Sequence, residues 1–212
     1  MSLLRYINHV IGWLGNLLTA SVAIAILLFL IGQIITIIQK TRTKDRAKKA
    51  LKMILSEEIE RNYYVLNNLF SALSLVRKEG ENSAEIITCK LYISRSGQYN
   101  IRCYHKDGSL ISGNTLPPFV TNRYEKLIDR IAEFDSTMFK QLQNCYSTIG
   151  ELDHWRQLLL DYLTGEMEEF PGKNATGEFL SGLSRQKNDY YNILNATYKK
   201  LGNTELKSGR LF

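Results

Sequence analysis

The order of hydrophobic and polar positions sets the first part of the chain apart from the rest. Residues 6–39 contain no Asp, Glu, Lys or Arg, and His9 is the one histidine among them. Residues 20–38 are apolar over roughly the 20 residues that a helix needs to cross a bilayer core. The weaker stretch before them, residues 3–18, predicts one long tilted helix, or an interfacial first turn or two, with the span over residues 15–38.

Beyond the apolar stretch, hydrophobic residues recur every three or four positions, which indicates an amphipathic helix. Residues 50–76 contain neither Gly nor Pro, and Gly80 marks the predicted helix end. The apolar seam is narrow and suits one partner helix, as in a coiled coil, while Glu57, Glu58 and Glu60 are expected on the other faces. The seam consists of Leu51, Leu55, Ile59, Asn62, Leu66, Phe70 and Leu73.

Residues 85–111 change to a composition typical of strands. Aromatic and β-branched residues run through 86–93 and 99–104, and the residues between them are turn-like. These features predict a small β-hairpin or meander. Two or three strands are only marginally stable alone, so the strands are expected to lean on the helices.

A second helical region follows Pro117 and Pro118. Its hydrophobic spacing predicts two or three helices between residues 119 and 163, with a break at Asp135 or Gly150, and a last helix at about 178–201.

The fold class predicted from these patterns is mainly α: an N-terminal transmembrane helix that continues into a cytoplasmic helical bundle with a small β-hairpin insertion. The predicted order is a membrane anchor at 1–39, a basic juxtamembrane segment and long helix at 40–80, a β segment at 81–116, a helical bundle at 117–201 and a loose tail at 202–212.

The formal net charge of +6 comes from one cluster beside the apolar stretch. After Lys52, acidic residues outnumber basic ones by one, whereas a nucleic-acid-binding domain spreads basic residues over a face, so direct nucleic-acid binding is disfavoured. Because Lys and Arg stay on the cytoplasmic side, the cluster predicts a single-pass membrane protein with its N-terminus outside and its C-terminal domain in the cytoplasm. The cluster contains Lys40, Arg42, Lys44, Arg46, Lys48, Lys49 and Lys52.

A stripe of small residues gives the apolar stretch a candidate helix-association face. Gly15, Thr19 and Ala23 lie four positions apart, which lets helix backbones approach closely, and Gln33 adds a polar group able to bond between helices. The face predicts a homo-oligomer as one alternative. Membrane anchors that do not associate contain small residues too, so the second alternative is that the helix is a single tether.

The candidate chemistry is sparse. Cys89, Cys103 and Cys145 lack the spacing of a zinc site or a disulfide framework, so reduced, mostly buried thiols are predicted. Cys103 and His105 lie on one strand face, which amounts to half a metal site at most. The sequence contains no phosphate-cradling loop or nucleophile motif. We therefore expect no catalytic or metal site, no cofactor and no enzymatic activity.

Three short motifs carry a resemblance to a known group. They are Leu55-Ser-Glu-Glu-Ile-Glu-Arg-Asn62-Tyr-Tyr-Val-Leu66, Thr121-Asn-Arg-Tyr124-Glu-Lys-Leu-Ile and Leu142-Gln-Asn-Cys-Tyr146-Ser-Thr-Ile149. With the preceding apolar and basic segments, they resemble small, mostly uncharacterised bacterial single-pass membrane proteins that share a Glu-Ile-x-x-Asn juxtamembrane helix. Some proteins of that group are membrane effectors beside anti-phage systems, including retrons.

The resemblance implies an effector that acts on the inner membrane after the cytoplasmic domain senses a trigger. The expected partners are the lipid bilayer and a cytoplasmic protein or complex. The alternative function is a non-enzymatic, membrane-tethered adaptor or scaffold for a cytoplasmic partner.

Overall fold

The protein is mainly helical and contains one small antiparallel sheet. It forms two compact units, Met1–Lys49 and Ala50–Phe212. The computed structural model describes residues 3–17, 20–80, 88–166, 176–202 and 204–206. In chain order the elements are α1 (Leu3–Leu17), α2 (Ala20–Gly80), β1 (Thr88–Ile93), β2 (Tyr99–Tyr104), β3 (Leu110–Thr115), α3 (Asn122–Phe134), α4 (Ser136–Thr164) and α5 (Thr176–Gly202).

The first unit contains α1 and the beginning of α2. Helix α1 is described as far as Leu17 and α2 from Ala20 onward, and residues 18 and 19 lie outside the described residues, so the span over residues 15–38 stays a prediction. Helix α2 contains the 61 residues from Ala20 to Gly80.

The core of the second unit forms between α2, α3, α4, α5 and one face of the sheet. The predicted seam of α2 is buried, but Val65, Leu69 and Ala72 are buried beside it, so the buried face is broader than one partner helix requires. The chain's own helices and strands cover this face. Fully buried side chains include Leu55, Ile59, Leu66, Leu69, Ile101, Leu116, Ile131, Leu142, Ile149, Leu152 and Leu159.

The break between α3 and α4 lies at Asp135 and not at Gly150, which is inside α4. Asp135 adopts an extended conformation, and its carboxylate accepts hydrogen bonds from the backbone N–H groups of Thr137 and Met138 at 3.1 and 3.0 Å. A carboxylate at this position satisfies N–H groups that the first turn of a helix leaves without partners, so Asp135 ends one helix by starting the next.

The three strands form a meander in the order β1-β2-β3, which confirms the predicted small β segment. Between β1 and β2, the Ser94 N–H donates to the Gln98 carbonyl oxygen at 2.8 Å, and Gly97 supplies the positive φ of the turn. Between β2 and β3, Gly108 has the same role. The first turn sets the register in which Cys89 lies opposite Cys103.

Candidate functional site

Two buried polar side chains of α2, Glu58 and Asn62, contact the segment that leads into α3. Both are fully buried, and their four-residue spacing places them on one face of the helix. Asn62 Oδ1 accepts a hydrogen bond from the Val120 N–H, and Asn62 Nδ2 donates one to the Val120 carbonyl oxygen, each at 2.7 Å. These two bonds hold the loop before α3 against α2 in one register.

The Glu58 carboxylate lies at the N-terminus of α3. Its Oε2 accepts a hydrogen bond from the Arg123 N–H at 2.9 Å, and its Oε1 accepts one from the Tyr124 N–H at 3.1 Å. The first N–H groups of a helix have no partner within the helix, and the helix dipole favours a negative charge beside them. A side chain of α2 therefore caps α3 from 65 positions earlier in the chain.

Tyr146 of α4 joins the same cluster. Its hydroxyl donates a 2.8 Å hydrogen bond to Glu58 Oε1, and its ring stacks on that of Tyr124 with centroids 3.9 Å apart and planes inclined by 6°. Burial, followed by the Glu58 charge, raises the pKa of Tyr146, and burial raises the pKa of Tyr124. Both hydroxyls stay protonated at neutral pH, so the cluster acts as a hydrogen-bonded joint between α2, α3 and α4.

Arg123 extends this joint to the surface. Its Nη1 lies 2.8 Å from Glu57 Oε2 and donates a hydrogen bond to the Ile54 carbonyl oxygen at 3.3 Å. The two charged side chains are 37% and 48% exposed, and exposed ion pairs contribute about 0–1 kcal/mol. The buried contacts of Glu58 therefore stabilise the joint more than this surface pair does.

A cleft of about 520 Å³ opens beside the stacked tyrosines. Its volume is within the range of small-molecule sites. Among the described residues that line it, the two charged ones, Glu125 and Asp153, are acidic, which favours a cationic or hydrogen-bonding ligand over an anion. The lining residues are Phe119, Thr121, Tyr124, Glu125, Gln143, Tyr146, Ser147, Ile149, Gly150 and Asp153.

The sequence pattern missed most of this cluster. It places Glu58 and Glu60 on polar faces of α2, which is wrong, since their relative exposures are 0% and 9%. The available signal was the spacing of Glu58 and Asn62, which puts a carboxylate on the same face as a residue already assigned to the seam. The sequence could not predict that Tyr146 bonds to this carboxylate, because Tyr146 lies 88 positions away in the chain.

The cysteines require a second correction. Cys89 and Cys103 form a disulfide, whereas the sequence predicted reduced thiols. The reason is their register: they are direct partners on β1 and β2, with Cα atoms 4.1 Å apart, close to the separation of about 4.5 Å typical of non-hydrogen-bonded pairs in antiparallel sheets. In this disulfide the Cys103 sulfur is bonded to Cys89, so in the oxidised form it is not available as a metal ligand beside His105.

Cys145 is the buried thiol that the sequence predicted. Burial raises its pKa to about 12, and the thiolate is the nucleophilic form of cysteine, so the side chain is inert at neutral pH. Among the described residues, no group of three or more His, Cys, Asp and Glu side chains is placed to hold a metal ion.

The basic cluster lies along α2, where Lys40, Arg42, Lys44, Arg46 and Lys49 are exposed. Lys48 and Lys52 are half-buried, and Lys52 Nζ donates a 3.4 Å hydrogen bond to the Lys200 carbonyl oxygen.

The part of α2 from Val22 to Val76 includes an 18-residue window with a mean hydropathy of 2.5 and no buried residues. It is the one described helix that is long and apolar enough to cross a membrane. Leu28 and Phe29 of this helix are 64% and 65% exposed.

The predicted association face is divided between elements. Gly15 belongs to α1, Ala23 and Gln33 belong to α2, and Thr19 lies outside the described residues. A continuous stripe through these positions stays a prediction.

Comparison of the chain with protein-family models, with curated proteins and with solved structures found no match.

Proposed function

We propose that the chain is a membrane-anchored signalling or effector protein whose second unit responds to a partner. The observation that carries the proposal is the make-up of α2, a single helix that contains both the exposed apolar stretch and the buried Glu58 and Asn62. Soluble proteins rarely expose a continuous apolar surface of this length, and residues 20–38 match the thickness of a bilayer core. A change at the Glu58 contacts thus acts on the same helix that meets the lipid.

The orientation follows from charge. Seven Lys and Arg residues adjoin the C-terminal end of the apolar stretch, and Arg5 stands on the other side. By the positive-inside rule, the second unit lies in the cytoplasm and the N-terminus outside, in a bacterial inner membrane. In that reducing compartment, Cys89 and Cys103 are held as thiols and pair when the protein meets oxidant.

The cleft beside Tyr124 and Tyr146 is the proposed point of entry for a trigger. A ligand or partner side chain that reorders the stacked rings removes the Tyr146 hydrogen bond to Glu58, and with it one of the contacts between α4 and α2. No catalytic step is required. The free energy of ligand binding drives the change, and the result is a change in the contacts of α2.

The effector outcome is self-association in the membrane through Gly15, Thr19, Ala23 and Gln33, followed by membrane disturbance and growth arrest. This step rests on the small-residue stripe and on the resemblance to anti-phage membrane effectors. Association through residues 51–73 is not part of the proposal, because the chain's own core covers that face.

A second candidate function, a membrane-tethered adaptor, is supported by that same covered face. Since residues of the second unit itself bury the apolar face of α2 at residues 51–73, burial of this face does not require a second copy. An adaptor then requires the anchor only as a tether. Substitutions in the association face, such as Gly15→Leu, are expected to leave partner binding unchanged.

Anchoring is tested by alkaline washing and flotation of membranes, with a C-terminal reporter for the side of the membrane. The wild-type chain is expected to float with vesicles and its reporter to be cytoplasmic. Leu28→Asp with Leu30→Asp adds about 5–7 kcal/mol to insertion and is expected to release the protein. Met53→Asp, at a similarly exposed apolar residue of the second unit, serves as the matched control. A periplasmic reporter, or a wild-type chain that does not float, would refute the proposal.

The effector and adaptor functions are separated by a membrane-potential dye. The protein is induced together with its genomic neighbours, and the same culture is used for affinity purification. An effector depolarises cells after the trigger, and Gly15→Leu abolishes the depolarisation. Partner capture without depolarisation, unaffected by Gly15→Leu, leaves the adaptor as the function.

A further inference from the structure

The three-stranded sheet has one face in the core and one face in solvent. Ile101 and Cys103 of β2 point into the core, and both are 0% exposed. Side chains alternate between the two faces of a strand, so the residues next to these two belong to the opposite face, which we call the outer face of the sheet. This outer face carries the exposed Lys90, Tyr92 and Arg102 and the half-buried Tyr104.

Two positive charges lie directly opposite each other on the outer face. Lys90 of β1 and Arg102 of β2 are register partners in the antiparallel pair. Such partners have Cβ atoms about 4.5–5.5 Å apart, and like charges in this arrangement are destabilising. Among the described residues, neither side chain forms an ion pair with a carboxylate. An anion bound beside both would remove the repulsion, so the outer face is complementary to a negatively charged ligand.

The sheet also differs in charge from the rest of the chain after Lys52. Of the 19 basic and 20 acidic residues in that region, residues 88–115 contain four basic ones and one acidic one, which leaves 15 and 19 for the remainder. The near-zero charge of the region, which disfavours a nucleic-acid-binding domain, is thus the sum of a basic sheet and an acidic remainder. The four basic residues are Lys90, Arg95, Arg102 and Lys106.

Aromatic rings accompany the two opposed charges. The Tyr104 hydroxyl donates a 3.1 Å hydrogen bond to the Tyr92 hydroxyl, and Cζ of Arg102 lies 5.0 Å from the centroid of the Tyr92 ring. Unpaired nucleic-acid bases stack on tyrosine rings and on guanidinium planes, while basic side chains hold the phosphates. In a duplex the bases are already stacked on one another, so such rings favour single strands.

We propose that the outer face of the sheet binds single-stranded nucleic acid. Lys90 and Arg102 contact the phosphates, and the rings of Tyr92 and Tyr104 stack on the bases. RNA and single-stranded DNA share the chemistry that this face recognises, namely flat bases joined to phosphate charges. The inference goes beyond the proposed function and does not depend on membrane anchoring, because the sheet belongs to the second unit.

The experiment measures the binding of fluorescein-labelled oligonucleotides to the full chain by fluorescence anisotropy. The chain is held in nanodiscs of phosphatidylcholine, a lipid without net charge. The probes are an oligouridylate and an oligothymidylate of about 15 nucleotides, and a DNA duplex of the same length. We expect at least one single strand to bind about 10-fold more tightly than the duplex, because only unpaired bases stack. The tighter of the two single strands then identifies RNA or DNA as the ligand.

The contribution of the rings is tested with Tyr92→Ala. We expect this substitution to weaken single-strand binding about 5- to 100-fold, the value of one base stacked on one ring. Tyr92→Phe keeps the ring and is expected to bind within about twofold of the wild type. Tyr64→Ala is the matched control, because Tyr64 of α2 is 41% exposed against 38% for Tyr92. Binding by Tyr92→Ala that equals the wild type would overturn the proposal.

The contribution of the charges is tested by the salt dependence of binding. Lys90→Ala with Arg102→Ala is expected to reduce the slope of log K against log salt by about 1.4, at about 0.7 per phosphate contact on a single strand. Lys44→Ala with Arg46→Ala removes the same charge from the basic cluster of α2 and is the matched control. A slope that changes in the control alone would assign the binding to that cluster and refute a site on the sheet.

Three further results would also exclude the proposal. Equal or tighter binding of the duplex would show that charge alone attracts nucleic acid. Binding of neither single strand would remove nucleic acid as the ligand. If the wild type binds phosphatidylglycerol vesicles and no oligonucleotide, and Lys90→Ala with Arg102→Ala loses the vesicles, the outer face binds lipid headgroups instead. Urea unfolding followed by tryptophan fluorescence verifies that each variant is folded.

Discussion

Replacing Glu58 by Gln tests whether the buried carboxylate holds α2, α3 and α4 together. In the most favourable arrangement the Gln carbonyl oxygen replaces Oε1, which accepts from Tyr124 and Tyr146. The new amide NH₂ then faces the Arg123 N–H, a second donor. One buried N–H without an acceptor costs about 1–3 kcal/mol, and loss of the charge at the helix N-terminus adds about 0.3–1 kcal/mol.

We therefore expect Glu58→Gln to lower the free energy of unfolding of the second unit by about 1–4 kcal/mol. The measurement is urea unfolding of the full chain in detergent micelles, followed by Trp155 fluorescence in a chain with Trp13→Phe. Glu57→Gln is the matched control, because it is adjacent, identical in chemistry and 48% exposed. Its expected effect is below about 1 kcal/mol. If the two substitutions had equal effects, the capping role of Glu58 would be wrong.

Three further predictions follow from the cysteines and tyrosines. Replacing Cys89 and Cys103 by Ser opens a loop closed across 14 positions, so in air-oxidised protein we expect the free energy of unfolding in urea to fall by about 3 kcal/mol relative to the wild type. In reductant, where the wild type also lacks the disulfide, we expect this difference to disappear. Rapid alkylation of growing cells is expected to label Cys89 and Cys103 as free thiols. A Cys89–Cys103 disulfide in most of the protein would contradict the cytoplasmic orientation. The free energy of unfolding is expected to fall as the pH rises above about 9–10, because Cys and Tyr side chains of the unfolded chain ionise there. In the folded protein, burial raises the pKa of Cys145 to about 12 and also raises that of Tyr146, so both side chains stay protonated. Cys145→Ala should flatten this decline between pH 9 and 12 in a denaturant titration, and an unchanged slope would show that Cys145 does not contribute to it.

Local patterns predicted the helices and the sheet well because they depend on near neighbours. The three-and-four spacing of Leu51, Leu55 and Ile59 required only the geometry of a helix, and Gly97 and Gly108 required only the geometry of turns. The cysteine pair was within reach as well. Cys89 and Cys103 are each seven residues from Ser96, inside the predicted turn, so the hairpin alone places them opposite each other.

The candidate site was not predictable in the same way. Glu58 meets the N-terminus of α3 and the Tyr146 hydroxyl only because α2, α3 and α4 pack around one core. A carboxylate among the charges of a helix looks the same in sequence whether it is solvated or buried. Its burial depends on donors that arrive from 65 and 88 positions away.

Composition and periodicity are properties of the chain alone, so the long uncharged apolar stretch, the basic cluster directly after it and the mainly helical remainder could all be read from the residues. The cover over the face of α2 at residues 51–73 and the hydrogen bonds of Glu58 and Asn62 to the start of α3 appear only when the chain is folded. An apolar face requires a dry surface and a buried carboxylate requires hydrogen-bond donors, but neither specifies which segment of the chain provides them.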